Sequence, residues 1–512
     1  MLVKTYASAV HGIYATTITV EVNLSQGINF FIVGLPDNAV KESQRRIDAA
    51  LKNTGFEVKQ KKVVINLAPA DLRKEGSAYD LPMAMGILAA SELLPVRELE
   101  HYVLMGELSL DGTLQKIRGA LPMAINAKER GFRGLIVPAE NAREAGVIKG
   151  IKVYGMNHIM EVTGFLSGHR SFEPVQVDIE KEFYSNVNNY DTDFSEVKGQ
   201  VKVKRALEIA AAGGHNVIMV GPPGAGKTML AKRLPGILPP LSLDEALETT
   251  KIHSVAGKTE YYSSLVTKRP FRDPHHTISD IALVGGGTYP QPGEISLAHN
   301  GVLFMDELPE FKRNVLEVLR QPLEGRIITI SRAKFTIEYP SSFMLVASMN
   351  PCPCGYYNHP ERDCVCAAGV VQKYLNRISG PLLDRIDIHI EVVPVPFDRL
   401  SLLQCGEKSQ TIRERVVNAR KIQEQRFSGF NGIHCNAQMT SRLMNIYCRP
   451  DQSGLALLRN AMEKFELSAR AYDRILKVSR TIADLDGSDY IKVYHISEAV
   501  NYRNLDREGW GG

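Results

Sequence analysis

Nine consecutive residues carry the densest chemistry in this chain: Gly221, Pro222, Pro223, Gly224, Ala225, Gly226, Lys227, Thr228 and Met229. They directly follow the apolar run Val217-Ile218-Met219-Val220, so a buried strand runs into a glycine-rich turn and then a helix. Glycines let the backbone wrap a phosphate, with amide N–H groups pointing inward at the helix N-terminus. At this spacing Lys227 reaches the β- and γ-phosphates, and the Thr228 hydroxyl ligates Mg²⁺. A second apolar strand, Gly301 to Met305, ends in Asp306 and Glu307. In phosphoryl transfer the first acid holds Mg²⁺, and the second orients or deprotonates the attacking water. Together the two elements point to ATP hydrolysis.

Two further polar residues end apolar runs. Asn350 closes Phe343 to Asn350, where it can hydrogen-bond the γ-phosphate or its attacking water. Arg385 lies at a helix end before the strand expected over Ile386 to Val393. It suits either an arginine finger reaching across a subunit interface or a salt bridge to Asp384 or Asp387. A third constellation is Cys352, Cys354, Cys364 and Cys366, four thiols within 15 residues. They can form a tetrahedral, structural zinc site, although Cys-x-Cys is tighter than the usual spacing and His359 is a spare donor. The other reading is four reduced cysteines in a polar loop. Cys405, Cys435 and Cys448 are scattered. His275 and His276 offer metal donors, but buried or capping histidines are commoner.

These residues need elements to position them. At 512 residues the chain is expected to form roughly three domains. With 44% hydrophobic and 23% charged residues it is not a largely disordered chain. A net charge of +4 makes any nucleic-acid site a local patch. Leu81 to Val96 contains Ser91 and Glu92 and falls short of the ~20 apolar residues a membrane span needs. The amino terminus has no continuous apolar segment, so neither membrane nor signal peptide is expected. Seven cysteines in so long a chain are no disulfide scaffold, which points to a reducing cytoplasm.

Residues 1–170 read as α+β. Strands are expected at Thr17–Val22, Ile28–Val33 and Val63–Leu67, with a helix capped by Asp37 and another over Leu81–Leu94. Asp111-Gly112 looks like a hairpin turn. Residues 171–193 read as a linker. Residues 194–396 alternate short buried strands with helices, as a parallel sheet covered on both faces requires. Residues 397–512 turn helical, with Ile412–Gln425 and Ser468–Leu485 the clearest segments.

On GPPGAGKT, RPFRDPHHTIS (269–279), GEISLAHNGVLFMDELPEF (293–311), ASMNPCPCG (347–355), SGPLLDRID (379–387) and LSARAYDRILKVSRTIADL (467–485), the chain resembles the Mg-chelatase-like AAA+ ATPases of the competence-associated ComM/YifB family. The resemblance covers nearly the whole chain. It implies an AAA+ P-loop core with a helical lid, preceded by a Lon-protease-like domain of the ribosomal-S5-domain-2 type. It also implies Lys227 and Thr228 in Walker A, Asp306 and Glu307 in Walker B, and Asn350 as sensor 1. Arg385 becomes the arginine finger and Arg470 sensor 2, with Arg474 a competitor for that role. The implied assembly is a homo-hexameric ring with ATP between protomers.

In related ATPases a hairpin before sensor 1 points into the ring's pore. Here Gly325 to Tyr339 reads as two strands around a tight turn, and Arg332 and Lys334 would meet DNA phosphates. An ordinary surface hairpin is the other reading. Residues 285–300 resemble the group's helix-2 insertion. A Lon site needs a serine and an activating lysine. By alignment Ala78 takes the serine's place, one residue from Ser77, and Arg118 falls near the lysine's, two residues from Lys116. A scaffold that docks a protein partner is therefore expected in place of a protease. The resemblance favours a motor on single-stranded or branched DNA; a chelatase-type or protein-remodelling ATPase is the alternative.

Overall fold

In the computed structural model, residues 1–58, 61–186, 190–259, 264–287, 290–332, 335–357, 359, 361–395, 406–430 and 432–503 are described. The chain divides into two compact units. The first comprises Met1–Asn186, Leu243–Thr267 and Pro290–Pro292; the second holds the remainder.

The first unit is built on a mixed seven-stranded sheet of β1 (Leu2–His11), β2 (Tyr14–Ser25), β3 (Phe30–Val33), β4 (Lys62–Ala68), β5 (Tyr102–Leu104), β6 (Gly134–Pro138) and β7 (Lys152–Met156). Its order is β3-β4-β2-β1-β5-β6-β7. β1, β2 and β4 pair antiparallel, and the remaining neighbours are parallel. Alternation sets the inward face: Ile18, Val20, Val22 and Leu24 of β2 are all buried. Asp37 caps the helix Asn38–Asn53, its Oδ1 accepting from the Val40 amide at 2.8 Å. Val40, Ile47 and Leu51 line that helix's buried face. Asp111-Gly112 does turn a short hairpin, pairing Glu107 with Gln115.

The helix expected over Leu81–Leu94 spans Asp80–Ala90. Glu92 takes a left-handed conformation at φ +65°. The Glu92 amide then donates to Ala89 O at 3.0 Å and the Leu93 amide to Leu88 O at 2.9 Å. That closure ends the helix from within, although the apolar residues continue.

Two stretches depart from the expected division. Residues 171–193, read as a linker, contain the helix Ile179–Asn186, with Ile179 and Phe183 buried. The helix Leu243–Val255, within the stretch read as the ATPase core, packs in the first unit. Gly119 N donates to Ser254 O at 3.0 Å, and the Glu144 carboxylate accepts from Thr259 Oγ1 at 3.0 Å and from Ser254 Oγ. Leu265 joins Leu121, Val147 and Ile179 in one apolar cluster.

The second unit contains β8 (Val217–Val220), β9 (Phe271–Arg272), β10 (Val302–Met305), β11 (Ile327–Arg332), β12 (Phe335–Pro340), β13 (Met344–Met349) and β14 (Ile388–Glu391). Five of them form a parallel sheet in the order β9-β10-β13-β8-β14. Every residue of β8, β10 and β13 is buried, as continuous apolar runs demand when both faces are covered. β11 and β12 form a separate antiparallel hairpin, in register from Ile327↔Pro340 to Arg332↔Phe335. The carboxy-terminal part is helical. Its helices Ser409–Phe427 and Ala469–Leu485 pack on the helix Val201–Gly213 that precedes β8. The boundary expected at 396/397 lies outside the described residues. Among those residues no helix is long and apolar enough to cross a membrane.

Candidate active site

Parallel strands bring their carboxyl ends to one edge of a sheet, and loops leaving that edge converge. The turn after β8 is Gly221–Gly226, and the helix Lys227–Arg233 begins at its end. Gly224 and Gly226 adopt φ of +78° and +90°, a left-handed backbone that side chains disfavour. Gly221 is required by contact: a Cβ there would sit 2.2 Å from Val392 O.

Lys227 is buried, and its Nζ donates to Gly221 O at 2.6 Å, Pro222 O at 3.0 Å and Asn350 Oδ1 at 3.1 Å. Burial lowers its pKa, while Asp306 and Glu307 act in the opposite direction. The ammonium is thus held over the loop by neutral acceptors that a phosphate can replace. Thr228 Oγ1 donates to Asp306 Oδ2 at 2.6 Å. These two oxygens suit a divalent cation, since Mg²⁺ takes hard oxygen ligands alongside substrate phosphates. Asp306 Oδ1 accepts from the Glu307 amide at 3.0 Å and from Ser348 Oγ. Glu307 has φ +54°, a strained conformation for a non-glycine residue that costs ~1–3 kcal/mol. Its carboxylate is exposed, available to a water or substrate.

Sequence reasoning overlooked two neighbours. Ser348 fixes Asp306 from β13; its signal was a lone polar side chain in a wholly buried strand. His276 places Nδ1 3.6 Å from Glu307 Oε2. Its ring meets Phe311 edge-on at 6.4 Å. Considered from sequence as a metal donor or, more commonly, a buried or capping histidine, it is half-buried and placed to orient the glutamate.

The arginines have different surroundings from those expected. Arg385 is 7% exposed, donates to Pro381 O and pairs through Nη2 with Glu324 Oε1 at 2.5 Å. Its expected ion-pair partners are engaged elsewhere. Asp384 pairs with Arg470 and Asp387 with Arg474, each at 3.1 Å. The Arg470 side chain is 62% exposed; that of Arg474 is 23% exposed. Asp387 is buried, which works against its charge, but Arg474 and His215 hold its carboxyl far below the usual carboxylate range. His215 bridges Asp387 at 3.2 Å and Thr481 Oγ1 at 2.8 Å, tying the start of β8 to the helix Ala469–Leu485. Lys334 and Cys405 lie outside the described residues, as does the side chain of Arg332.

A parallel sheet, a glycine-rich turn ending in Lys-Thr, and an acidic pair at the end of β10, one strand removed from β8, are the parts of a P-loop AAA+ core. Three family models match the chain. "Magnesium chelatase, subunit ChlI" covers residues 193–400, "Subunit ChlI of Mg-chelatase" 20–141, and "Magnesium chelatase, subunit ChlI C-terminal" 406–503. YifB of Escherichia coli is 45% identical, over 98% of this chain and 97% of that protein. The competence protein ComM of Haemophilus influenzae is also 45% identical, again over 98% and 97%. The magnesium-chelatase 67 kDa subunit of Heliobacterium mobile is 26% identical over 44% of this chain and 37% of its own length. The chain belongs to the ComM/YifB family of Mg-chelatase-like AAA+ proteins.

Proposed function

We propose that this chain is an ATP-hydrolysing motor that works as a homo-hexameric ring on single-stranded or branched DNA. The observation that carries the ATPase reading is the convergence of Lys227, Thr228, Asp306 and Asn350, drawn from three strand ends, through direct hydrogen bonds. Lys227 and the backbone N–H groups of residues 224–229 bind the phosphates. Thr228 and Asp306 would hold Mg²⁺, whose positive charge would offset the negative charge on the transferred phosphoryl group. Glu307, oriented by His276, takes a proton from the attacking water, and Asn350 positions that water. Arg385 acts in trans, leaving Glu324 when a neighbouring protomer presents its nucleotide. Arg470, exposed beside Asp384, is the sensor-2 candidate.

The DNA reading rests on the near full-length likeness to a competence protein and on the antiparallel pairing of β11 with β12, the hairpin whose sequence carries Arg332 and Lys334. Residues 1–170 are a Lon-protease-like fold retired from proteolysis that docks a protein partner. The cytoplasm is the compartment where its thiols stay reduced. A chelatase-type or remodelling ATPase is the second reading, favoured by the descriptions of the matching family models. ATP hydrolysis measured without DNA, with duplex, with single strand and with a four-way junction separates the two, using Glu307→Gln as the blank. Stimulation by single-stranded or junction DNA supports the motor. Equal rates in all four, with only the blank falling, sink the DNA reading and leave the ATPase.

A further inference from the structure

The loop after β13 touches the phosphate loop at three successive points. Met349 O accepts from the Gly221 amide at 3.2 Å, and Asn350 Oδ1 accepts from Lys227 at 3.1 Å. Gly355, at φ +87°, lies so close to Pro223 that a Cβ on it would be 2.4 Å from Pro223 Cδ. Between the second and third contacts stand Cys352 and Cys354. Their Sγ atoms are 3.3 Å apart and lie 3.6 Å and 3.5 Å from Cys364 Sγ. Cys366 completes the group, all four sulfurs lying within 4.8 Å of one another.

A tetrahedral ion with Zn–S of about 2.3 Å sets its sulfurs about 3.8 Å apart. The two spacings to Cys364 come within a few tenths of an ångström of that, and the Cys352–Cys354 spacing within about half an ångström. A disulfide, with S–S near 2.0 Å, does not fit them. Backbone support is also present: the Tyr357 amide donates to Cys352 Sγ at 3.3 Å, and the Gly355 amide closes a turn on Cys352 O at 3.0 Å. Amides aimed at sulfur stabilise thiolate ligands and fix their orientation. Cys352 is fully buried and the other three half-buried, so the centre is shielded on one side. Four soft thiolates select zinc over magnesium or calcium.

We propose that Cys352, Cys354, Cys364 and Cys366 bind one structural Zn²⁺, and that this ion buttresses the phosphate loop by pinning the segment 350–355 against it. Among the described residues of 352–366 only Cys352 and Gly355 are buried, so an ion rather than an apolar core holds Gly355 on Pro223. Zinc and nucleotide then favour each other's binding by one shared factor, as linkage requires. The coupling rests on the nucleotide reading above; the zinc site does not.

Metal content of the purified full-length chain, read by plasma mass spectrometry, tests the site. One zinc per chain is expected, falling to background in Cys364→Ser/Cys366→Ser. Iron in its place, or no metal, overturns the site. Binding of a fluorescent ATP analogue tests the coupling. The double variant should bind at least about tenfold more weakly while circular dichroism shows its helices intact. Gly355→Ala, which keeps every thiol, should retain zinc and show the same direction of change. In the wild-type chain, competition with a zinc chelator should show zinc held more tightly when the analogue is bound. Unchanged analogue binding in both the zinc-free double variant and Gly355→Ala overturns the coupling. Full zinc in a wild-type chain that binds no analogue overturns the nucleotide reading and the coupling with it, leaving the site.

Discussion

The edge of the parallel sheet and the neighbourhood of Ser77 hold similar raw materials, a hydroxyl, a lysine and carboxylates, and put them to different uses. At the sheet edge Lys227, Thr228, Asp306 and Asn350 bond to one another across 123 residues of sequence. Around Ser77 the same residue types bond apart. Ser77 Oγ donates to Glu107, and Lys74 is buried with its Nζ on Leu72 O at 2.6 Å and on Pro69 O. Lys116 donates to Thr259 O at 2.9 Å. Each lysine there donates to backbone carbonyls, whereas the serine donates to a carboxylate. Strand topology accounts for the contrast. Parallel strands deliver their ends to one edge. Ser77 instead opens a 3₁₀ turn ahead of a helix buried on every side, Asp80–Ala90. The polar groups nearby are used for structure: Asp80 holds Arg46 through contacts of 2.6 and 2.9 Å.

The contrast can be tested from its largest effect downward. Arg385→Ala should lower ATP hydrolysis by ~10³–10⁵. Mixing it with Lys227→Ala should restore part of the rate, because a mixed ring contains interfaces with one intact half of each; no recovery would rule out action in trans. Glu307→Gln should cost ~10²–10⁴ in rate while the ATP analogue still binds. Loss of binding in that variant would mean the glutamate is structural. In the first unit, Arg46→Ala strands the buried Asp80 carboxylate and should cost about 3–5 kcal/mol, read as an earlier first transition on melting. An unchanged melt would mean water or another cation replaces the guanidinium. His276→Ala should lower the turnover rate roughly tenfold with analogue affinity unchanged, less than the ~10²–10⁴ expected for the base it orients. Equal loss of affinity would place it in nucleotide binding instead. Ser77→Ala should change neither hydrolysis nor peptide cleavage; loss of a peptidase activity would erase the contrast.

Much of both units was legible in the sequence. The alternation of Thr17–Val22, the Asp37 cap and the apolar runs ending at Val220, Met305 and Met349 all lie within the elements they announced. Helix ends were less legible. Leu81–Leu94 stops at Ala90 because a left-handed Glu92 closes it, and a hydrophobic run carries no such signal. The acidic pair and the phosphate loop were legible because each lies on a contiguous motif. His276 and Ser348 were not, because their significance is a contact with a residue 31 or 42 positions away.

By itself the sequence determined which groups are present and what local backbone carries them: a glycine-rich turn between strand and helix, two acids at a strand end, four cysteines within one loop. These depend on neighbours in the chain, and local sterics and periodicity express them directly. Only the tertiary structure decided what each group meets. It turned Arg385 onto Glu324, set Asp384 and Asp387 against Arg470 and Arg474, and laid Gly355 on Pro223. It also packed the segment Leu243–Thr267 into the first unit, although its sequence neighbours on both sides belong to the second. An amphipathic segment specifies that it must bury a face, but the surface that covers it is chosen by shape and hydrogen-bond complementarity between residues far apart in the chain.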